Sequence, residues 1–430
     1  MPAASCLTRK ESLLAKVVPF EATHYNTARF GKDVARLVAP PYDVIDPVLE
    51  RKLKDDRLNV THIILGDESD GYCVASRRLR TWLDDQVLVK DQGKGFYIYE
   101  QKFSTPDGST RIRSGIVGLV KLEEFSKGVV MPHEKTIPKH KEDRMQLMKA
   151  VSGDTEQIFL LYDDPSGEIE SVLLKSRGLE EEQRLVDNDG VHHRIIRLSD
   201  PKLVERITEL FEPVKLLIAD GHHRYETSLE YRDMMRAREA GDEERPYDFI
   251  IATMVSSRNP GLIVYPTHRL VNNVGPELIA KLPKALEKEF RLHEFPGTEE
   301  LATSVDSSSE SAFGVWIPSS KTCLLATKRK AGPSENPMED LPVWIVQERV
   351  LKNLLNYTSD MLDKKVNIDY VKGTGPAKLA MASGEYQACF FVRPPTVQQV
   401  MAIAKTGQKM PHKSTYFFPK IWSGTLLHLF

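Results

Sequence analysis

Two stretches of the chain alternate between apolar and polar residues with a period of two. They are Phe96–Phe103 and Arg111–Val120, and the turn sequence Thr-Pro-Asp-Gly at 105–108 separates them. Such alternation is typical of strands with one buried face, and Asp-Gly suits a tight turn. The pattern therefore predicts a β-hairpin. A second hairpin is predicted from Phe313–Ile317 and Thr322–Thr327.

Continuous apolar runs predict strands that are buried on both faces. The runs are Val60–Leu65, Ile158–Tyr162, Leu216–Ala219, Phe249–Val255 and Cys389–Val392. Each is four to seven residues long and ends at polar or turn-forming residues, as expected for strands in the core of a sheet.

Helix starts are indicated by capping residues and prolines. Asp46 suits an N-cap and Pro47 the first helical position, so a helix is predicted from there to about Lys54. Between residues 129 and 150, Pro132 and Pro138 are expected to keep the first part from being helical, and a helix is predicted from Glu142 onward.

Helices and strands alternate along the chain and are mixed with hairpins. This order predicts an α/β fold (α+β mixed) with a mixed central sheet, flanking helices and inserted β-hairpins. The expected domains are a flexible tail over 1–15, a main α/β domain over 16–270 and a C-terminal α+β portion over 271–430. The last portion packs with the main domain as one unit or stands apart.

Composition narrows the class of protein. The 430 residues include 41% hydrophobic and 28% charged residues, with a net charge of −2, which is ordinary for a globular protein. A chain with no basic surplus is not expected to bind nucleic acid, and no apolar run is long enough to span a membrane. The four cysteines form no CxxC pair, so we expect a cytoplasmic protein without structural zinc. The oligomeric state stays open.

The most concentrated polar chemistry lies at residues 220–224, Asp-Gly-His-His-Arg, between the apolar run 216–219 and a helical pattern. The first turn of a helix presents unpaired N–H groups and a positive dipole end, so this DGHHR turn is expected to hold a phosphate or carboxylate. Arg224 suits bidentate binding of that anion. Asp220 is a metal ligand, a base or an N-cap. His222 and Glu226 share a helix face and either bind a metal or orient one another. A plain capped helix is the alternative.

Four further loops carry titratable or hydroxyl side chains. His133 and Glu134 lie in a charged loop that supplies a general base or is merely solvated. Tyr42 and Asp43 follow a rigid Pro-Pro pair and form either the rim of a pocket or a helix entry. His268-Arg269 follow the apolar run 262–265, and Arg269 faces the same anion as Arg224 if the two strands are neighbours. Lys413, Ser414 and Thr415 combine hydroxyls with a cation but lack the glycine-rich loop of a Walker motif.

Several classes of enzyme lack their required residues. No GxGxxG follows a strand, so no NAD is expected; there is no HExxH motif and no GxSxG elbow. A magnesium ion shared with phosphates needs only one or two carboxylates and stays possible.

The chain resembles the family of conserved uncharacterised proteins known as domain-of-unknown-function family ten-fifteen. The similarity is carried by APPYDVI at 39–45, PHEKT at 132–136, DGHHRYET at 220–227, PTHRL at 266–270 and MPHKSTYFFPKIWSG at 410–424. This resemblance implies relatives but no activity. The Gly-His-His-Arg turn alone is similar to a phosphate-binding turn of the partition-protein and sulfiredoxin superfamily, whose members include free-serine kinases. That local similarity implies phosphate chemistry.

The expected function is a small-molecule phosphotransferase that uses ATP or ADP with Mg²⁺ on a small anionic or phosphorylated metabolite. A hydrolase or isomerase with His/Glu acid–base chemistry, and a non-catalytic anion-binding or scaffold protein, are the alternatives. The candidate catalytic residues are Glu134, Asp220, His222 and His223. The candidate binding residues are Gly221, Arg224, His133, His268, Arg269, Lys413, Ser414, Thr415, Tyr42 and Asp43.

Overall fold

A computed structural model describes residues 14–66, 68–70, 72–134, 138–239, 241–329 and 332–430. For residues 68 and 138–140 it describes the backbone only. The described residues form two compact units. Unit 1 comprises Met1–Met131, Lys141–Asn259 and Ile421–Phe430, and unit 2 comprises Pro132–His140 and Pro260–Lys420. Most of the tail expected at 1–15 lies outside the described residues. The domain bounds expected from the sequence stay a prediction.

The strands are numbered in chain order. They are β1 Val17–Val18, β2 Thr23–Tyr25, β3 Leu88–Lys90, β4 Phe96–Ser104, β5 Thr110–Lys121, β6 Val130–Met131, β7 Gly153–Asp154, β8 Ile158–Tyr162, β9 Gln183–Val186, β10 His192–Leu198, β11 Leu216–Asp220, β12 Phe249–Ser256, β13 Ile263–Tyr265, β14 Thr267–Val271, β15 Phe290–Glu294, β16 Ala312–Ile317, β17 Thr322–Lys328, β18 Ile368–Lys372, β19 Ala388–Val392, β20 Tyr416–Phe418 and β21 His428–Leu429.

The α-helices are numbered in the same way. They are α1 Thr27–Phe30, α2 Pro47–Lys54, α3 Thr61–Ile64, α4 Cys73–Asp84, α5 Pro138–Val151, α6 Glu168–Ser176, α7 Pro201–Phe211, α8 His222–Arg236, α9 Pro276–Leu286, α10 Thr298–Ser307, α11 Pro342–Ile345, α12 Ser359–Asp363, α13 Thr374–Ala382 and α14 Val397–Lys405. A π-helix, Val346–Lys352, continues α11. Across the described residues, no helix combines the length and apolar character needed to cross a membrane.

Unit 1 is built on a mixed sheet in the order β6-β11-β8-β12-β5-β4-β10-β9, with β1 added beside β5. Strand β11 runs parallel to β6 and antiparallel to β8, and β12 runs parallel to β8. The central strands are apolar on both faces because helices α6, α7 and α8 supply side chains to the core that they form. This arrangement confirms the predicted α/β fold with a mixed sheet.

Unit 2 contains a separate antiparallel sheet in the order β15-β17-β16-β19-β14-β18. Helices α10 and α13 pack on it through a core that includes Leu301, Ala377 and Phe391. Strands β13 and β20 form a two-stranded pair of their own.

Local sequence patterns predicted several elements well. The two hairpins are present as β4–β5 and β16–β17. Helix α2 begins as expected, since the Asp46 carboxylate accepts hydrogen bonds from the N–H groups of Val48 and Leu49 at 2.8 Å. The predicted strand at residues 216–219 is also present as β11, and it is followed directly by the helix α8.

Two local predictions were wrong. Residues 60–65 are not a strand, because Thr61–Ile64 form the short helix α3. The side chain of Asn59 accepts hydrogen bonds from the Thr61 N–H at 3.0 Å and the Thr61 hydroxyl at 2.8 Å, which starts a helical turn. Helix α5 begins at Pro138 and not at Glu142, because proline is tolerated in the first helical turn, where its missing N–H has no acceptor.

Candidate functional site

The DGHHR turn lies at the end of a buried strand of unit 1. Strand β11 ends at Asp220, Gly221 adopts a left-handed conformation with φ 93°, and α8 begins at His222. The first hydrogen bond within the helix is donated by the Tyr225 N–H to the Gly221 carbonyl at 2.9 Å. The N–H groups of residues 222–224 therefore precede the intrahelical hydrogen bonds, as at the start of any α-helix.

Glycine is required at position 221 for two independent reasons. Its φ of 93° lies in a region that residues with a side chain rarely adopt. A Cβ atom there would also lie 2.8 Å from the Cγ2 atom of Ile158 on β8. The close approach of the turn to β8 thus depends on the absence of a side chain.

Arg224 fastens the turn to the sheet. Its Nη1 donates to the Gln157 carbonyl at 2.6 Å, and its Nη2 donates to the Asp220 carboxylate at 3.0 Å. Burial lowers the pKa of Arg224, but the negative charges of Glu156 and Asp220 outweigh burial and raise it. The guanidinium is therefore a permanent cation, already paired within the turn. Asp220 is not the N-cap of α8, because Gly221 occupies that position.

A second buried arginine, Arg144 of α5, lies in the same unit. Its guanidinium is 4.2 Å from the ring centroid of Tyr42, and its Nε donates to Asp143 at 2.7 Å. Its Nη1 lies 3.6 Å from Glu156, which also accepts from the Tyr42 N–H at 3.3 Å. Tyr42, Arg144, Glu156 and the DGHHR turn are called the turn site below.

A small cavity of about 30 Å³ opens beside the turn site, and Arg144, Glu156 and Arg224 contribute to its lining. Two further lining residues are notable. The Thr227 hydroxyl is buried and has no hydrogen-bond partner among the described residues. Burial raises the pKa of Asp154 to about 7, although the Ile251 N–H and Ser228 oppose this shift. The cavity has room for a water molecule, which would satisfy the threonine.

The remaining sequence candidates of unit 1 differ in exposure. His222 is buried, His223 is half-buried and Asp43 is exposed at the short 3₁₀ helix Tyr42–Val44. His222 and His223 occupy the first two positions of α8. These positions place both imidazoles in the turn itself.

In unit 2, His133, Glu134 and Thr415 form a hydrogen-bonded group, called the loop clasp. The Thr415 hydroxyl donates to Glu134 Oε1 at 3.0 Å and lies 2.9 Å from His133 Nε2. The Thr415 N–H also donates to Glu134 Oε1, at 3.1 Å. The Met410 N–H donates to the His133 carbonyl at 2.7 Å, so two distant loops are joined. His133 is fully buried, whereas 15% of the Glu134 side chain is exposed.

Arg269 in β14 is buried without a carboxylate in hydrogen-bond contact among the described residues. Its Nη1 donates to the Thr267 carbonyl and its Nη2 to the Lys413 carbonyl at 3.2 Å. Its guanidinium lies 5.4 Å from the ring centroid of Tyr370. Burial lowers the pKa of Arg269, and the more distant Tyr370 and Glu134 oppose that shift only in part.

His268 is held inside the sheet of unit 2. The Val392 N–H donates to its Nδ1 at 3.2 Å, so Nε2 carries the proton and donates to the Thr374 hydroxyl at 3.1 Å. Burial, followed by the charge of Arg269, lowers the pKa of His268 to about 3. It is a neutral imidazole with both nitrogens occupied.

Lys413 and Ser414 lie in the turn that precedes β20. Lys413 is exposed and left-handed with φ 55°, and the buried Ser414 hydroxyl donates to the Pro411 carbonyl at 2.6 Å. The sequence candidates therefore gather into two groups, one in each unit. Their substrate-binding and catalytic roles stay predictions.

Sequence reasoning missed two charged members of the turn site and one neighbour. Arg144, Glu156 and Asp154 were not among the candidate residues. For the two acidic residues the only signal was position, since carboxylates just before the fully apolar strand β8 are unusual enough to suggest a role. Among the described residues, no group of three or more His, Cys, Asp or Glu side chains is arranged to hold a metal ion.

Comparison with known proteins gives one family match and several distant structural similarities. A family model described as "Protein of unknown function (DUF1015)" matches residues 17–367. No curated protein matches the chain.

Three solved structures illustrate the structural similarities. A free serine kinase variant in complex with AMP is 17% identical, with 67% of this chain and 84% of that chain covered and a TM-score of 0.37. A conserved hypothetical protein from Pyrococcus furiosus is 18% identical (68% and 89% covered, TM-score 0.36). SbnI with a C-terminal truncation, from Staphylococcus aureus, is 8% identical (71% and 85% covered, TM-score 0.37). Scores this low identify neither a shared fold nor shared chemistry.

Proposed function

The chain belongs to the DUF1015 family of proteins of unknown function, and we propose that it is a small-molecule phosphotransferase whose phosphate-binding element is the turn site. One observation carries the proposal: a left-handed glycine without space for a Cβ atom joins a buried strand directly to the start of α8, a helix of 15 residues. That geometry brings backbone N–H groups to the end of the strand, where a phosphate can accept from them.

Two buried arginines place fixed positive charge in the turn site, and neighbouring carboxylates balance it. Arg224 and Arg144 stay cationic because Glu156 lies near both of them. Their hydrogen bonds anchor them, so they act on a phosphate mainly through charge, while the helix N–H groups make the direct contacts. Mg²⁺ needs only one or two protein carboxylates when phosphates complete its shell, and Asp43 and Asp220 are the candidates. ATP or ADP is the proposed nucleotide.

The reaction requires few protein groups. An acceptor hydroxyl attacks the terminal phosphorus of the nucleotide (γ in ATP, β in ADP), and a new P–O bond forms. The bond from that phosphorus to the bridging oxygen breaks, ADP or AMP leaves, and the hydroxyl proton passes to a carboxylate. Positioning and charge stabilisation dominate such transfers. Asp220 is the proposed base within the turn site, with His222 and His223 as further acid–base candidates. The catalytic role of Glu134 stays a prediction. The binding roles of His133, His268, Arg269, Lys413, Ser414 and Thr415 stay predictions.

Nucleotide binding is the first test. Thermal unfolding would be followed with millimolar ATP or ADP and Mg²⁺. A ligand present at 100 times its dissociation constant should stabilise the protein by about 2.7 kcal/mol, which is a measurable shift of the midpoint. No shift with either nucleotide would remove the proposal.

His223→Ala localises the binding. His223 is half-buried in the turn, and we expect its removal to weaken nucleotide binding at least about fivefold with little change in the thermal midpoint. His192→Ala, which removes an exposed histidine from β10 of the same unit, is the matched control. Equal effects of the two changes would argue against the turn as the site.

The second candidate function is a hydrolase or isomerase with acid–base chemistry on an anionic metabolite. The loop clasp favours it, since a threonine hydroxyl between an imidazole and a partly exposed carboxylate is a geometry that can move protons. Glu134→Gln should abolish turnover in that case while nucleotides cause no thermal shift. If neither nucleotides nor anionic metabolites bind, a scaffold role is favoured.

A further inference from the structure

Unit 1 contains a second, much larger cavity that shares no lining residue with the turn site. Its volume is about 500 Å³, and it lies against β1, the segment before β4, the 3₁₀ helix Pro246–Asp248 and the C-terminal strand β21. Pockets that take small organic ligands usually measure about 300–1,000 Å³. The cavity therefore has the size of a ligand site.

The floor of this cavity is apolar. Phe20, Leu119 and Phe249 line it and are buried, with exposed fractions of 3%, 6% and 7%. Val18 and Pro19 continue the apolar wall. An apolar or aromatic body of a ligand would gain from leaving water here, since burial of apolar surface contributes about 25 cal/mol per Å².

The rim carries more positive than negative charge. Its four cations and two carboxylates are Lys16, Lys90, Lys94, Arg245, Glu21 and Glu244. Glu244 is paired at 2.6 Å with Lys16 and at 3.1 Å with Lys121, and Glu21 lies 3.4 Å from Lys90.

Lys94 is a rim cation that neither of the two rim carboxylates pairs with. Among the described residues, no carboxylate lies within ion-pair distance of its ammonium group, and the lysine is exposed. Arg245 reaches Glu239 and Glu243 only at 4.0 and 3.9 Å. A surplus of positive charge at the rim of an apolar floor attracts an anion and rejects a cation.

His428, which also lines the cavity, does not add to this charge. Its Nε2 lies 3.0 Å from the Pro246 carbonyl and so carries the proton as a donor. Burial lowers the pKa of His428 to about 4, and its neighbour Lys90 acts in the same direction. The imidazole is a neutral wall near pH 7, so the positive charge comes from the lysines and Arg245.

From this arrangement we infer that the cavity binds a free small molecule with an apolar body and a single anionic group, such as a medium-chain carboxylate. The apolar body occupies the floor beside Phe20 and Phe249, and the anionic group faces Lys94 at the rim. The inference does not depend on the proposed phosphotransferase function, because it uses none of the turn-site residues.

The first experiment uses the full chain and the fluorescent anion 8-anilinonaphthalene-1-sulfonate. We expect saturable binding of this probe, and displacement by decanoate. Decanol, which has the same chain length without the charge, should compete at least about tenfold more weakly. Equal competition by decanol and decanoate would overturn the inference, as would saturable binding that decanoate fails to displace.

Two variants locate the site. Lys94→Glu should weaken decanoate binding about threefold to tenfold, while Lys102→Glu, a matched charge reversal at an exposed position of β4, should leave it unchanged. Val18→Glu introduces a carboxylate into the wall itself and should weaken binding further. Thermal unfolding and circular dichroism check that each variant is folded.

Membrane lipids offer the same chemistry from a surface, and vesicles separate the two sources. The protein would be sedimented with phosphatidylglycerol vesicles and with neutral phosphatidylcholine vesicles. We expect no difference between the two. Lys94-dependent sedimentation with the anionic vesicles, together with a failure of free decanoate to displace the probe, would assign the cavity to a lipid surface and overturn the inference.

Discussion

Arg224 of unit 1 and Arg269 of unit 2 occupy similar places in the sequence, each after a histidine near the end of an apolar run, yet their surroundings differ. Arg224 is bonded to the Asp220 carboxylate, and its pKa is raised because acidic groups outweigh burial. Arg269 is bonded to two carbonyls, and burial lowers its pKa. The guanidinium of Arg224 is a cation whose charge a neighbouring carboxylate balances. The guanidinium of Arg269 is buried, and only the more distant Tyr370 and Glu134 favour its charged form.

This difference changes how each arginine could bind an anion. A phosphate near Arg224 adds to a site whose carboxylates already balance the charge, so its direct contacts come from the helix N–H groups. A phosphate or carboxylate near Arg269 would meet a guanidinium that lacks a carboxylate contact among the described residues. A buried cation of that kind gains more from a new anionic partner than an already paired one.

The largest expected effect is on stability when either arginine is removed. Arg224→Met leaves Asp220 without its guanidinium partner and leaves Glu156 with Arg144 alone, and we expect the free energy of unfolding to fall by about 3–5 kcal/mol. Arg269→Met leaves only carbonyl groups without donors, with an expected loss of about 1–3 kcal/mol. Urea denaturation measures both changes. Arg258→Met, which removes an exposed pair with Asp163, is the control and should cost under about 1 kcal/mol. A larger loss for Arg269 than for Arg224 would reverse the comparison.

The next effect depends on pH and belongs to unit 1. Burial raises the pKa of Asp154 from 3.8 to about 7, so the folded protein binds this proton more tightly than the unfolded chain. Stability is then lost as the pH rises from about 4 to 7. Asp154→Asn removes that loss, and its stability relative to the natural protein should increase by about 3 kcal/mol between pH 5 and pH 8. Unfolding measured at both pH values tests this, and a difference that does not change with pH would refute it.

A substitution at Gly221 should have a smaller effect on the free energy of unfolding. Gly221→Ala adds strain at a positive φ and a contact of 2.8 Å with Ile158, and we expect a loss of about 2–3 kcal/mol. Gly128→Ala is the matched control, because its φ of 65° is also positive but its surroundings are open. The control should lose only about 1 kcal/mol. Similar losses measured by urea denaturation would show that the close approach to β8 contributes nothing.

The smallest effect is the pH response of unit 2, which should have the opposite sign to that of Asp154. Burial lowers the pKa of His268 from 6.5 to about 3, so the unfolded chain binds the proton more tightly and stability is lost as the pH falls below 6.5. His268→Asn removes this response while its amide oxygen can still accept from Val392. The stability gap between variant and natural protein should narrow by about 2 kcal/mol from pH 7 to pH 5. An unchanged gap would contradict the pKa shift.

Local patterns predicted those elements whose signal is contained in a few neighbouring residues. Alternation predicted the hairpin of β4 and β5, and Asp46-Pro47 predicted the start of α2. The same reasoning was wrong at Thr61–Ile64, because a short apolar run has no periodicity that separates a buried strand from a buried helix. Only the side-chain hydrogen bonds of Asn59, which also reach the carbonyls of Arg36 and Val38, favour the helix.

The candidate sites divide in a similar way. Sequence spacing alone indicated that the DGHHR turn joins a strand to a helix, since apolar run, glycine and helical pattern are contiguous. It could not indicate that Glu156 balances both Arg144 and Arg224, or that Thr415 bonds to His133 and Glu134 nearly 300 residues earlier. The pairing of charges depends on which loops the fold brings together.

The sequence by itself determined the types of residue available, the buried strands, the capped helices and a glycine where no other residue fits. The tertiary structure alone decided which of two similar arginines has a carboxylate partner, which histidine is buried as a neutral imidazole, and where an apolar floor meets a basic rim. The physical reason is that hydrophobic periodicity and capping act over a few residues. Burial, charge pairing and pKa shifts depend on distances across the fold, which neighbouring residues do not set.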